Sequence, residues 1–254
     1  MYSGLLAVTN RKLCERDFLE QIERLAKSDI EAIILREKDL DETAYETLAE
    51  SVLKICGRYK KTCILHTFTD AAIRLGCTAI HLPLPVLLAQ KERLTGFERI
   101  GVSVHSVEEA RFAAAAGATY LTAGHIYETD CKRGLPGRGL SFLKEVCENV
   151  SIPVYAIGGI TPERLLELKV AGAAGGCIMS LAMKLYKRLV TDIRKRAKKR
   201  RTVFLRAVLW HTFIIGNYSF FVCSLTREST LASGKSPICN ALIPSTKNTI
   251  PRIK

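Results

Sequence analysis

The chain lacks the cysteine and histidine spacings that mark a disulfide framework or a metal site. Its nine cysteines are odd in number and scattered, and no two of them form a Cys-x-x-Cys pair. Histidines and carboxylates nowhere show metal-ligand spacing. We therefore expect buried free thiols in a reducing cytoplasm, and a protein without a metal ion.

We expect no leader sequence, and the sequence holds no long apolar run without polar interruptions. Residues 1–9 have neither a basic start nor a long apolar stretch, so they do not show the pattern of a signal peptide. The largely apolar stretch 202–223 is interrupted by Arg206, His211 and Asn217. A membrane span needs about 20 apolar residues, and a central arginine costs roughly 2.5 kcal/mol or more. We expect no membrane span and a cytoplasmic location.

Excess positive charge is confined to the end of the chain. The 254 residues include 38 basic and 25 acidic residues, a net charge of +13. Up to Tyr186 there are 23 of each, whereas the rest has 15 basic residues against Asp192 and Glu228. With 48% hydrophobic and 25% charged residues the composition is that of a globular protein, which excludes disorder of the whole chain. The first 186 residues therefore form an electrically balanced body.

The tail differs in pattern from this body. Residues 194–201 read Arg-Lys-Arg-Ala-Lys-Lys-Arg-Arg, and no periodicity continues beyond about Phe221. The basic run favours a solvated helix end that faces its own C-terminal dipole. Contact with nucleic acid or anionic lipid is the alternative. We expect residues 201–254 to be an irregular basic extension rather than an independent domain. A further hypothesis is that these residues are translated sequence past a frameshift.

Apolar runs and helical stripes alternate along the first 186 residues. The runs suit buried parallel strands, and eight of them occur: Gly4–Thr9, Ala32–Arg36, Thr62–His66, Thr78–Leu82, Ile100–Val104, Thr119–Ala123, Val154–Ile157 and Gly176–Met179. Helical stretches follow them, and Ser106–Glu109 has the form of a capping box. This α/β alternation predicts a compact (β/α)8 TIM barrel over residues 1–200 rather than an open sheet. Its last helix should begin near Ser180 and end between Thr191 and Arg201.

Barrel ligands bind in the loops that follow the strands, and two of these loops suit a phosphate. Gly158-Gly159 precedes Thr161-Pro162, so a glycine turn leads into a helix start, where backbone N–H groups can approach an anion. Met179-Ser180 opens the next helix. A tight strand–helix turn also needs glycine for purely structural reasons, and the two loops together favour the phosphate site.

The long loop after the sixth strand is the more specific feature. Its cations alternate with glycines, which predicts a mobile basic lid made of Lys132, Arg133, Gly134, Gly137, Arg138 and Gly139. His125 lies just past the strand end, where an imidazole with a pKa near 6.5 can take and return a proton. A histidine bonded to a nearby backbone group is the structural alternative. His105 lies beside the Ser106 cap, and we interpret it as structural.

At these loops the sequence resembles the thiamine phosphate synthase superfamily. The resemblance covers residues 1 to about 190 and rests on Leu35–Lys38, Gly101–His105, Ala156–Ile160 and Met179–Ser180. The loop from Gly124 to Gly139 is similar to that of the thiazole tautomerase branch, whose members aromatise a carboxythiazole phosphate in thiamin biosynthesis. The proton carrier of that branch is the histidine of this loop, which corresponds here to His125.

The synthase branch carries carboxylates that this sequence lacks. Those enzymes have an Asn-Asp pair after strand three and an Asp after strand four, which hold magnesium on a pyrimidine diphosphate. The corresponding positions here are His66-Thr67 and residues 83–86, and Asp70 lies a helical turn further on. The resemblance therefore implies a tautomerase without metal or cofactor. The alternatives are thiamine phosphate synthase, coupling hydroxymethylpyrimidine diphosphate with thiazole phosphate, and a non-catalytic regulatory or nucleic-acid-binding barrel.

The resemblance also implies a ligand and a set of residues around it. The expected ligand is a phosphorylated thiazole. Apart from the resemblance, we expect nucleic acid to bind through the basic tail, if at all, and a homodimer is an open alternative. The expected phosphate site consists of Gly158, Gly159, Met179 and Ser180. The expected contacts to the carboxylate or phosphate are Arg36, Lys38 and Lys132, and the pocket is lined by Ser103 and Thr129. Salt bridges to Glu37 and Asp39 are the structural alternative for Arg36 and Lys38.

The basic tail gives a first testable expectation. A chain cut just before the basic run 194–201 should keep the activity of its first part and lose any retention of DNA or RNA at about 50–100 mM salt, because the cations of that run are removed. Retention that survives the cut would place nucleic-acid binding on the body instead. An intact mass well below 28.2 kDa for protein from the native host would support the frameshift hypothesis, and the full mass would exclude it.

Overall fold

The computed structural model describes residues 4–129, 132 and 134–184. Within them, eight parallel strands form a closed barrel in sequential order, and β8 pairs with β1. The strands are β1 Leu5–Val8, β2 Ala32–Leu35, β3 Thr62–His66, β4 Ala79–Pro83, β5 Arg99–Val104, β6 Tyr120–Gly124, β7 Val154–Ile157 and β8 Gly175–Ile178. The predicted (β/α)8 TIM barrel is confirmed, and the strand bounds differ from the predicted ones by at most one residue.

Helices cover the outside of the barrel between successive strands. They are α1 Phe18–Ala26, α2 Glu42–Arg58, α3 Thr69–Arg74, α4 Leu84–Ala89, α5 Val107–Ala115, α6 Gly139–Glu148, α7 Leu165–Val170 and α8 Ser180–Lys184. The last helix begins at Ser180 as predicted. Its expected end, the domain boundary at residue 200 and the extension 201–254 lie outside the described residues. Among those residues, every helix falls short of the length and apolarity that a bilayer crossing demands.

Both faces of the strands are buried, which explains why the strands are continuous apolar runs. Side chains alternate between the two faces, so that Leu6 and Val8 of β1 pack inside the barrel with Ile34 and Ile64. The neighbouring Leu5 belongs to the second, larger cluster between the strands and the helices. This second cluster holds the helices against the barrel and keeps the strand ends in place.

The capping box at the start of α5 forms with one difference from the expected pattern. The Ser106 hydroxyl accepts a hydrogen bond from the Glu109 N–H at 3.1 Å. The Glu109 carboxylate reaches back one residue further than expected, to the His105 N–H at 2.5 Å. At the other predicted start, Thr161 makes no side-chain cap, and a 3-10 turn over Pro162–Arg164 precedes α7. Proline at the first position favours this turn because it has no N–H to satisfy.

The closure between β1 and β8 depends on a glycine that lets two backbones approach. Gly176 N–H donates to the Gly4 carbonyl at 2.7 Å. A Cβ on Gly175 would lie 1.8 Å from the same carbonyl oxygen, which is closer than any non-bonded contact allows. The last strand can therefore close the barrel only if this position has no side chain.

Gly175→Ala should therefore destabilise the fold. We expect a loss of at least about 1–3 kcal/mol in the free energy of unfolding, because backbone atoms must shift to accommodate the methyl group. Gly57→Ala in α2 is the matched control, since a Cβ there meets nothing within 4 Å. It should stabilise the protein by about 0.5–1 kcal/mol, as alanine is the better helix former. Denaturant unfolding of both variants measures the difference, and equal effects would contradict this account of closure.

Candidate active site

A cavity of about 1350 Å³ opens at the carboxyl ends of the strands. Closure of the barrel brings together here all ten residues that the sequence singled out as site residues. They are Arg36, Lys38, Ser103, His125, Thr129, Lys132, Gly158, Gly159, Met179 and Ser180. The volume exceeds the roughly 300–1,000 Å³ of typical small-ligand pockets, so a small ligand has ample room. The structure therefore places the candidate residues around one common space.

His125 follows β6 directly and is only 8% exposed. Its Nε2 lies 3.3 Å from the Leu135 carbonyl, a long hydrogen bond. Its Nδ1 is buried and has no hydrogen-bond partner among the described residues. Because a carbonyl only accepts, the neutral imidazole that makes this bond carries its proton on Nε2. The lone pair of Nδ1 is then not engaged by any described group of the protein.

The glycine turn after β7 packs against the segment that holds His125. Gly158 and Gly159 both have positive φ, 96° and 65°. A Cβ on Gly158 would lie 2.4 Å from the Cβ of His125, and one on Gly159 would lie 2.6 Å from the Glu128 carbonyl oxygen. These glycines therefore have a structural role, since they permit the close approach of two loops. The same turn lines the cavity beside Met179 and Ser180, because β7 and β8 are paired neighbours.

Arg36 and Lys38 form a cationic edge of the cavity at the end of β2. The positive charge of Arg36, and then partial burial, lower the pKa of Lys38. The nearby carboxylates are already engaged, because Glu37 binds the Thr9 hydroxyl at 2.7 Å. Glu37 and Asp39 also form ion pairs with Arg11, and Asp39 pairs in addition with Lys12. Within the described ranges Lys38 has no carboxylate partner, so the predicted salt-bridge alternative is wrong for this residue.

Only part of the predicted basic lid faces the cavity. Lys132 is exposed and lines the cavity. Its backbone N–H donates to the Thr129 carbonyl at 2.9 Å. The guanidinium of Arg138 instead lies over the ring of Phe142, 5.1 Å from its centroid. The predicted contribution of Arg133 lies outside the described residues.

His105 makes the backbone contact expected of a structural histidine. Its Nδ1 donates to the Gly124 carbonyl at 3.0 Å, next to the peptide that carries His125. His105 therefore helps to hold the strand end that presents the candidate catalytic imidazole.

The sequence did not single out a polar cluster inside the barrel next to Ser103. His81 contacts the Ser103 hydroxyl at 2.8 Å and the Tyr120 hydroxyl at 2.9 Å. Thr122 lies 3.2 Å from the same Ser103 oxygen. The sequence indicates this cluster only by polar residues at inward-facing positions of strands that are otherwise apolar. Their contacts join three strands, so no local pattern reveals them.

The ends of β3 and β4 carry histidine and proline where the synthase branch has carboxylates. His66 and Pro83 line the cavity there. Asp70 pairs with Arg93 and is not among the lining residues. No group of three or more histidine, cysteine, aspartate or glutamate side chains suited to a metal ion occurs in the described part of the chain.

Burial keeps two of the cavity histidines neutral. It lowers the pKa of His66 to about 2, with smaller electrostatic contributions from His81, Arg36 and Lys38. It lowers the pKa of His81 to about 3, with a smaller contribution from Arg36. In the unfolded chain both imidazoles take up a proton near their ordinary pKa of about 6.5. Below that pH the unfolded state therefore binds more protons, so the fold loses stability as the pH falls.

Acidification from about pH 7 to 5 should therefore reduce the free energy of unfolding, with each histidine contributing up to about 1.4 kcal/mol per pH unit below 6.5. Denaturant unfolding at a series of pH values measures this slope. His66→Asn removes one of the two contributions and should give a shallower slope than the parent chain. An unchanged slope would show that His66 does not resist protonation in the fold.

Comparisons with known proteins agree with this architecture. Residues 5–182 match the model of the family described as thiamine monophosphate synthase, TMP-TENI. The putative thiamine-phosphate synthase 2 of Aquifex aeolicus is 35% identical over 174 residues, which are 67% of this chain and 92% of that protein. The thiamine-phosphate synthase of Clostridium acetobutylicum is 35% identical over 201 residues, 76% of this chain and 95% of that protein.

A solved structure supports the same assignment. The thiamine phosphate pyrophosphorylase from Pyrococcus furiosus has a TM-score of 0.66 and 26% identity, and the match covers 77% of this chain and 96% of that one. The names of these relatives agree with the synthase alternative rather than with the tautomerase branch. From the matched family model, the two relatives and the shared barrel, we conclude that the chain belongs to the thiamine monophosphate synthase family.

Proposed function

We propose that the chain is an enzyme of thiamine biosynthesis and that its reaction is thiazole tautomerisation, the aromatisation of a carboxythiazole phosphate by a proton shift through His125. The observation that carries the proposal is the position of this imidazole. It is buried at the cavity, its Nε2 bonds a carbonyl, and its Nδ1 has no partner among the described residues. A proton shift requires a base whose lone pair is not occupied by a group of the protein.

The proton transfer balances without a redox cofactor. The substrate is a non-aromatic thiazole with an exocyclic double bond. The base takes the proton from ring C2, and the electron pair left behind enters the ring. The exocyclic carbon of the double bond then takes a proton from the imidazolium, and the ring becomes aromatic. One imidazole serves both steps if both carbons lie within about 3–3.5 Å of it. The Leu135 carbonyl would stabilise the imidazolium formed between the two steps, through Nε2–H.

The remaining cavity residues suit the two anionic groups of this substrate. We place the phosphate at Gly158, Gly159, Met179 and Ser180, which lie side by side after the paired strands β7 and β8. The carboxylate would bind at Arg36 and Lys38, because two cations held close together are stabilised by an anion between them. Lys132 would contact either group from the other side, and Ser103 and Thr129 would line the ring.

Thiamine phosphate synthesis is the second candidate function, and the names of the relatives favour it. That reaction joins a pyrimidine diphosphate to the thiazole, and in the synthase branch carboxylates hold a magnesium ion on the diphosphate. His66, Thr67 and Pro83 stand here in place of those ligands, and none of them offers the anionic oxygen that Mg²⁺ prefers. This difference in ligand chemistry is the reason for preferring the tautomerase.

His125→Asn and His125→Gln should each reduce kcat for the tautomerisation by about 10²–10⁴-fold, because neither amide can take up and return a proton. His105→Gln is the matched control, since it replaces another cavity imidazole by an amide whose N–H can still donate to the Gly124 carbonyl, and it should change kcat by less than about tenfold. Steady-state kinetics with the carboxythiazole phosphate tautomer measures both effects. If conversion survives undiminished in the His125 variants, the proposed mechanism is wrong.

The same preparations separate the two candidate functions. We expect no thiamine phosphate from hydroxymethylpyrimidine diphosphate, thiazole phosphate and Mg²⁺. Product formation from that mixture, together with no acceleration of the tautomerisation, would instead establish the synthase.

A further inference from the structure

A chain of hydrogen bonds leads from the barrel interior to the cavity through His81. This residue of β4 is buried, with its Nδ1 2.9 Å from the Tyr120 hydroxyl and its Nε2 2.8 Å from the Ser103 hydroxyl. Ser103 lines the cavity, whereas the Tyr120 side chain lies deeper and is 2% exposed. The imidazole therefore connects a buried phenol to a hydroxyl that a ligand can reach.

The phenol of Tyr120 determines the first bond of this chain. Its burial raises the pKa of the phenol, so the hydroxyl keeps its proton. Among the described residues, its one hydrogen-bond partner is His81 Nδ1. A buried hydroxyl proton without an acceptor is costly, so Tyr120 donates and Nδ1 accepts.

The next bond follows from the neutral state of His81. Burial lowers the pKa of His81 to about 3, so near neutral pH the ring carries a single proton. With Nδ1 accepting, this proton is on Nε2, and Nε2–H donates to Ser103. The Thr122 hydroxyl donates to the Ser103 oxygen at 3.2 Å, so this oxygen accepts from both His81 and Thr122. The Ser103 proton is then left for the cavity, which Ser103 lines.

The backbone of β5 leaves room for this arrangement. A Cβ on Gly101 would lie 2.1 Å from the Tyr120 ring and 2.4 Å from His81 Nδ1. A side chain at position 101 would thus occupy the space in which the phenol and the imidazole meet.

We propose that His81 is a positioning residue that makes Ser103 a fixed hydrogen-bond donor, so that the substrate must present an acceptor atom at Ser103. The identity of that substrate rests on the proposed function. In a carboxythiazole phosphate, the ring nitrogen and the carboxylate oxygens are acceptors. A ligand that places an N–H or O–H donor at this point would meet another donor and bind more weakly.

A double-mutant cycle tests the coupling between Tyr120 and Ser103. Tyr120→Phe frees Nδ1, so His81 can change tautomer and accept from Ser103, which draws the serine proton away from the ligand. Tyr120→Phe and Ser103→Ala should each weaken binding of the aromatic carboxythiazole phosphate product by up to about tenfold, measured by titration calorimetry. The double variant should lose no more than Ser103→Ala alone, because both changes remove the same donor.

Tyr155→Phe is the matched control for the cycle. The Tyr155 side chain is also buried in the barrel, but its hydroxyl donates to Glu31 at 2.9 Å and not to His81. Removal of this hydroxyl should leave the product affinity unchanged. The double variant Tyr155→Phe with Ser103→Ala should therefore bind product as weakly as Ser103→Ala alone. If the losses of affinity in Tyr120→Phe and Ser103→Ala add up in the double variant, the proposal is overturned, since a merely structural role of Tyr120 predicts additivity.

The tautomer of His81 provides a test that needs no ligand. In protein labelled with ¹⁵N-histidine, NMR should show His81 neutral and protonated on Nε2, and Tyr120→Phe should change this pattern while Tyr155→Phe should not. Protonation on Nδ1 in the parent chain would overturn the proposal whatever the activity. If the thiazole is neither bound nor converted but the Nε2–H tautomer is present, the proposed function fails while the donor role of Ser103 is supported.

Discussion

The pairing of β1 with β8 turns an eight-stranded sheet into a closed barrel, and the candidate site depends on that closure. Residues after β2, β6, β7 and β8 are far apart along the chain and meet only because all carboxyl ends face one opening. The contact is tight, since Gly175 must lack a side chain where it passes the Gly4 carbonyl. A stability requirement at the amino-terminal end of the barrel is thereby linked to the geometry of the cavity at the other end.

The narrow interior of this barrel forces polar groups to satisfy one another. Tyr120, His81 and Ser103 form one such set. Tyr155 bonds to Glu31, which pairs with Arg99, although the last two side chains are partly exposed. Burial keeps the imidazoles of His66 and His81 neutral, so these two residues add no positive charge to that of Arg36, Lys38 and Lys132 around the cavity. Local burial and hydrogen bonding therefore determine the chemistry of the site, and the net charge of the whole chain does not reveal it.

Much of the fold could be predicted from the sequence because buried parallel strands are continuous apolar runs with helical stretches between them. The positions of site residues followed from strand ends, as His125 after β6 and Ser180 at the start of α8 illustrate. Their partners could not be predicted in the same way. The pairing of Glu37 with Arg11, and the contact of His81 with Ser103, depend on strand register and on side chains that meet across the barrel. The choice between tautomerase and synthase depends on a few strand-end residues. These few positions contribute little to the overall sequence identity with relatives.

The most direct test is incubation with the non-aromatic carboxythiazole phosphate tautomer while the aromatic absorbance is followed. We expect the purified chain to accelerate the appearance of the aromatic ring well above the uncatalysed rate, without added metal or cofactor. A rate equal to that of the uncatalysed isomerisation would contradict the assignment of a tautomerase.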